Sequence, residues 1–159
     1  MKRTAPIALL LISIMLTLLT ACSKRHKVVG IGDDRPDMAA AVAKAQQTLP
    51  QFWQVFDKRE HGESNFVLVV RITDKGRIEH FHTTDFERRD GKTMVTISNS
   101  PKIVASVKFG DRIEIPQTNI TDWSYMRDGK YVGMTTFKAR FKDMPAEQVE
   151  GAKKAMADP

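Results

Sequence analysis

His80 and His82 are the first residues whose type and spacing suggest chemistry. Two positions apart on a strand, their rings point to the same face. With a carboxylate from Asp85 or Glu87 beside them, they would offer a zinc or copper ion two nitrogens and an oxygen. Two histidines alone are not a site, because such ions take three or four ligands, and His26 and His61 fall in loops. Glu79 adjoins His80, and with Asp122 these residues supply the base and carboxylates of a hydrolase if the fold gathers them. Asp122 and Trp123 form a third pair. Tryptophan is amphipathic and often anchors an interface, with the neighbouring aspartate accepting from a partner. The competing reading has Asp122 capping the entry to a hairpin and Trp123 packing on the core. Glu79, His80, His82, Asp122 and Trp123 are accordingly the candidate interaction residues. There is no Gly-x-Ser-x-Gly elbow, no phosphate-binding glycine loop and no His-Glu-x-x-His. Nothing calls for a cofactor. The expectation is a non-catalytic binding module, with a His80 hydrolase and a His80–His82 metal site as the alternatives.

Cys22 is the one cysteine, so no internal disulfide can form and stability rests on packing. It closes a segment laid out as a secretory leader: Lys2 and Arg3, an apolar run from Ile7 to Leu19 broken only by Ser13 and Thr17, then small residues. The run is short for a membrane-spanning helix. Leu19-Thr20-Ala21-Cys22 resembles the bacterial lipobox, which implies cleavage before Cys22 and acylation of its thiol. An ordinary signal peptide with an incidental cysteine is the alternative. Residues 1–21 are therefore expected to be a lipoprotein signal peptide and 22–34 a tether. By resemblance to known lipoproteins, Ser23 in place of an aspartate implies delivery to the outer membrane, facing the periplasm. Ser23-Lys24-Arg25-His26-Lys27 sets a basic cluster beside the acyl chain, either a second attraction to an anionic surface or a solvated leash. Loss of the leader removes Lys2 and Arg3 from a formal net charge of +6. Mild basicity spread along an exported chain argues against nucleic acid. The expected partners are the membrane, through acylated Cys22, and a protein or envelope polymer.

The elements that must position the candidate residues follow from periodicity and turn chemistry. From Pro36, the residues Met38, Val42, Ala45, Leu49, Phe52 and Phe56 form one apolar stripe at helical spacing. Pro50 interrupts it, so the helix kinks there or a second one begins. Phe66 to Thr73 is apolar on both sides, as a central strand covered on both faces would be. Asp74-Lys75-Gly76 turns the chain into Arg77 to Phe86, and Arg89-Asp90-Gly91-Lys92 leads into Thr93 to Ser98, completing a meander. Ser98-Asn99-Ser100-Pro101 predicts a short helix over Pro101 to Val107, ended by Gly110. Asp111 to Pro116 reads as a short strand. Ile120 to Phe141 reads as a hairpin about Asp128-Gly129, the dipeptide favoured by type I′ loops, with its second arm running from Tyr131 to Phe141. A last helix spans Ala146 to Met156. The fold class expected is α+β: a curled antiparallel sheet of about six strands, an N-terminal helical segment packed on one face and a short C-terminal helix. The domain covers 35–143, with 144–159 a helix or tail, and the second apolar face of the central strand is covered by the curl of the sheet or by the Ile120 hairpin.

Several short pieces occur in an order that resembles the bacterial YegJ-like family, a domain of unknown function. They are Ile78-Glu79-His80, Asn99-Ser100-Pro101, Lys108-Phe109-Gly110-Asp111 and Ile120-Thr121-Asp122-Trp123, with Gly129 and Gly133. The likeness spans about Asp37 to Phe141. Members tend to follow Glu-His with a large apolar residue and tryptophan, whereas this chain has Phe81 and His82. The resemblance implies a shared fold and carries no activity.

Overall fold

The computed structural model describes residues 35–157, residue 91 excepted. The leader, Cys22 and the tether lie outside the described residues. Helix α1 spans Pro36–Lys58, with proline in its first turn, Asp37 beside it and Lys58 in its last turn. That arrangement suits the helix dipole at both ends. The helix runs through Pro50, so no second helix begins there. Just before the proline, the Thr48 hydroxyl donates to the Lys44 and Ala45 carbonyls at 2.9 and 3.2 Å. At the C-terminal end Arg59 adopts the left-handed conformation, φ 49°, and its N–H closes on the Val55 carbonyl.

Six strands form one antiparallel open sheet: β1 (Ser64–Asp74), β2 (Arg77–Arg89), β3 (Lys92–Ile97), β4 (Arg112–Ile115), β5 (Ile120–Arg127) and β6 (Lys130–Gly133), in the order β4-β3-β2-β1-β5-β6. The α+β class and the meander of the first three strands are as the sequence predicts. At the Asp128-Gly129 turn both central residues have positive φ, 51° and 72°, the requirement of a type I′ loop. The core lies between α1 and the inner sheet face. Ala45, Leu49, Phe52 and Trp53 meet Leu68, Val70, Phe81, Val95, Trp123 and Tyr125. Phe52 is its hub, with ring centres of Trp53, Trp123 and Phe66 at 5.0, 5.6 and 5.8 Å. Burying each such side chain is worth about 1.5–3 kcal/mol.

Three expectations are overturned. The second arm of the hairpin is not a strand as far as Phe141. It ends at Gly133, and the chain turns into a one-turn helix α2 (Thr135–Lys138) and a 3-10 turn at Phe141–Asp143. Positive φ at Gly133 (91°) and Met134 (55°) breaks the extended run. No helix forms over 101–107. The N–H groups that would begin one are taken by carboxylates from the sheet, as described below. Finally, the first strand of the Ile120 hairpin does not fold over the outer face of β1. It pairs edge to edge with β1 in the same sheet, leaving Val67 and Val69 half-exposed. Past α3 (Ala146–Lys154), the chain returns alongside β6. The Tyr131 N–H donates to the Ala155 carbonyl, and the Ala157 N–H to the Tyr131 carbonyl, both at 2.8 Å.

Candidate functional site

Strand register decides which candidates meet. Val69 pairs with His82 on one side and with Asp122 on the other. Directly opposed residues in antiparallel strands share a face, so His82, Val69 and Asp122 form a row across the outer face. His80 lies on that face too, opposite Arg71, so the two histidines do share a side. Above the row opens a cavity of about 520 Å³, walled by Val67 and Val69 from β1, His82 from β2, Ser124 from β5, and Met134, Phe137 and Arg140 from the segment after β6. Its size is that of an ordinary small-ligand pocket. His80 is not among its walls.

Asp122 sits at the cavity's inner edge and is buried, 3% exposed. It accepts the N–H of Thr135 at 3.1 Å, of Thr136 at 2.8 Å and of Trp123 at 2.9 Å, and the Thr136 hydroxyl at 2.6 Å. Burial pushes its carboxyl above the ordinary aspartate range, although these four donors pull the other way. It caps α2, after the hairpin rather than at its entry. Trp123 is a core residue whose indole N–H donates to the Ala45 carbonyl at 3.0 Å, fixing β5 to α1. Gly133 makes room for that ring: a Cβ there would run into the Trp123 carbonyl and stand 2.6 Å from the indole.

Glu79 faces the other way. Its carboxylate accepts the N–H of Lys102 at 2.8 Å, Ile103 at 2.8 Å and Val104 at 3.0 Å. Partial burial pushes its pKa up, but the three N–H groups outweigh this and hold it below the usual range. Glu79 therefore fastens the loop after β3 and stands apart from the His82 cavity. His82 is exposed, with its backbone N–H on Asn99 Oδ1 at 2.8 Å. A β-bulge between Thr84 and Glu87 shifts the strand register, and Glu87 pairs with Arg112 at 2.9 Å. Among the described residues no three His, Cys, Asp or Glu side chains are grouped to hold a metal.

Ser124, His82 and Asp122 are the residue types of a hydrolytic triad, and all three line the cavity. Their placement does not make one. The whole of β1 separates His82 from Asp122, about 10 Å at ordinary strand spacing, and both Asp122 oxygens already serve α2. A second buried carboxylate escaped the sequence reading. Glu63, its side chain 1% exposed, pairs with Arg127 at 2.8 Å. Burial raises its pKa, while the His61 N–H, its own N–H and Arg127 bring it below the ordinary value. A lone glutamate in a Gly-Glu-Ser loop gives no pattern from which to find this. Met134, Phe137 and Arg140 were also missed, because their stretch reads as a strand. Val67 and Val69 had a visible signal in the doubly apolar run of β1.

The positions that carry the family resemblance thus build the fold: Glu79 and Asp122 hold backbone, Asn99 holds β2, and Gly133 admits Trp123. A family model described as DUF2314, an uncharacterised protein conserved in bacteria, matches residues 35–157. The chain belongs to this family. It is 33% identical over 119 residues to the uncharacterised protein YegJ of Escherichia coli (strain K12), covering 75% of this chain and 76% of that one. No solved structure matches. The DUF2314 match runs through α3.

Proposed function

We propose that this DUF2314 protein is a lipid-anchored envelope protein, acylated at Cys22 and held at the periplasmic face of the outer membrane. In this reading the outer-face cavity receives a ligand or a partner's side chain without transforming it. The observation that carries the binding reading is the cavity itself: apolar walls from Val67, Val69, Met134 and Phe137, with two basic groups, His82 and Arg140, among them. Asp122, the carboxylate at its edge, has its oxygens engaged by α2. Such a lining suits an apolar body ending in an anionic or hydrogen-bond-accepting group.

Dodecanoate is a suitable probe, with dodecanol as its uncharged counterpart. Binding to the native state raises Tm. Dodecanoate is expected to raise Tm more than dodecanol, and Val69→Trp, which fills the cavity, is expected to abolish both shifts. An unchanged response in Val69→Trp would remove the cavity from the function. Mass spectrometry of the mature N-terminus tests the anchor separately. An unmodified Cys22, or an intact leader, would remove the envelope assignment. The hydrolase and metal readings keep one test each: ester turnover that depends on His80, and a rise in Tm with added zinc.

A further inference from the structure

The segment between β3 and β4 is neither helix nor strand, yet it is fastened along its length. Val104 and Val107 are buried in the core. Glu79 takes three consecutive N–H groups, Asp74 takes that of Ala105 at 2.9 Å, and Asp111 takes that of Lys108 at 2.7 Å. What this fastening leaves outward is Phe109, 66% exposed, Ile103, 45% exposed, and the exposed Lys102 and Lys108. Phe109 is the most exposed large apolar side chain among the described residues. No aspartate or glutamate occurs between Ser98 and Gly110. The three bordering carboxylates are turned onto backbone N–H groups, and although the Lys102 charge is felt by Glu79, the Lys102 N–H rather than its ammonium holds that carboxylate.

We propose that this loop is where the domain rests on an anionic phospholipid bilayer. Phe109 and Ile103 enter the headgroup region, and Lys102 and Lys108 meet lipid phosphates. Apolar side chains flanked by lysines are the pattern of surfaces that lie on membranes, whereas lysine is depleted from protein–protein interfaces. The course of the chain fits. Phe56, near the end of α1, meets Phe66 at the start of β1. Gln46, nearer the helix start, holds the Ile120 carbonyl, and Ile120 pairs with Val70. The helix therefore runs antiparallel to β1, and its first residues lie toward the end of the sheet where Asp74 holds the loop. Residues 1–34 join the domain at that end. The proposal takes from the anchored reading only the nearness of a bilayer.

The test uses the full chain carrying Cys22→Ser and Phe109→Cys, with an environment-sensitive dye on the introduced thiol. Vesicles are phosphatidylcholine alone or mixed with phosphatidylglycerol. With phosphatidylglycerol the dye emission should shift to the blue and iodide quenching should fall. The same dye at Gln54→Cys, on the exposed side of α1, should not respond. Lys102→Ala and Lys108→Ala should each weaken the effect about fivefold, the value of one lysine near an anionic surface. Unchanged quenching overturns the proposal, as does equal protection by phosphatidylcholine alone. Protection without vesicles points to a protein contact and overturns it as well. Because Cys22 is replaced throughout, failure here is distinct from failure of the anchor.

Discussion

Two segments that leave the sheet, 101–104 after β3 and 134–138 after β6, are each held by one carboxylate from a neighbouring strand. Glu79 holds the first near the surface and Asp122 holds the second in the interior. Both accept consecutive backbone N–H groups, and the surroundings then separate them. Near the surface the N–H groups dominate and Glu79 is held below its ordinary pKa. In the interior desolvation dominates and Asp122 is pushed above it, with a similar set of donors. The same device is therefore more costly to disturb inside than outside, because a lost acceptor inside leaves donors that water cannot reach.

The largest effect that bears on this contrast is expected from Asp122→Ala. It strands the N–H groups of Trp123 and Thr136 in the interior and should cost about 4 kcal/mol in denaturant unfolding. A loss no greater than that of Glu79→Ala would erase the distinction. Next comes Gly133→Ala, where the added methyl meets the Trp123 carbonyl and ring at a φ of 91°. A cost of about 3 kcal/mol is expected, read from the same unfolding curves. Full stability in this variant would show that the turn into α2 has room to shift.

The smallest effect is at Glu79, and it has a pH signature. A carboxylate held low adds stability that is present above its unfolded pKa and is lost as pH falls through the folded value. Asp122, held high, has the opposite sign: in the folded state it keeps its proton to higher pH, so acidification through its raised pKa does not loosen α2. Amide exchange followed down in pH should lose protection at Lys102 to Val104 before Thr135 and Thr136. Glu79→Gln should show the loosened loop already at neutral pH, at a cost of about 1–2 kcal/mol. Simultaneous release of both segments would refute the assigned difference.

These two segments are also where the sequence misled. Ser98-Asn99-Ser100-Pro101 carries real helix-start chemistry, and Tyr131 to Phe141 alternates as a strand should. Both patterns are local, and in both cases a distant carboxylate competed for the backbone. No spacing reveals that Glu79 will meet Lys102 or that Asp122 will meet Thr136, since each contact depends on strand pairing. Where pattern and pairing agree, the fold was legible. The apolar stripe of α1, the Asp128-Gly129 turn and the meander are all found. Of the candidate residues, His82 reaches the cavity, and Glu79 and Asp122 are structural fasteners. Arg140 and Phe137 stayed hidden because their segment was read with the wrong period.

The strip of chain at 155–157 that lies against Tyr131 has a bearing on self-association. A sheet grows into fibrils only if each copy offers two unpaired margins, one to give and one to receive. Here one margin is obstructed at Tyr131 by the protein's own chain, and the other is the four-residue β4. Strand-to-strand stacking would therefore halt at a pair of molecules.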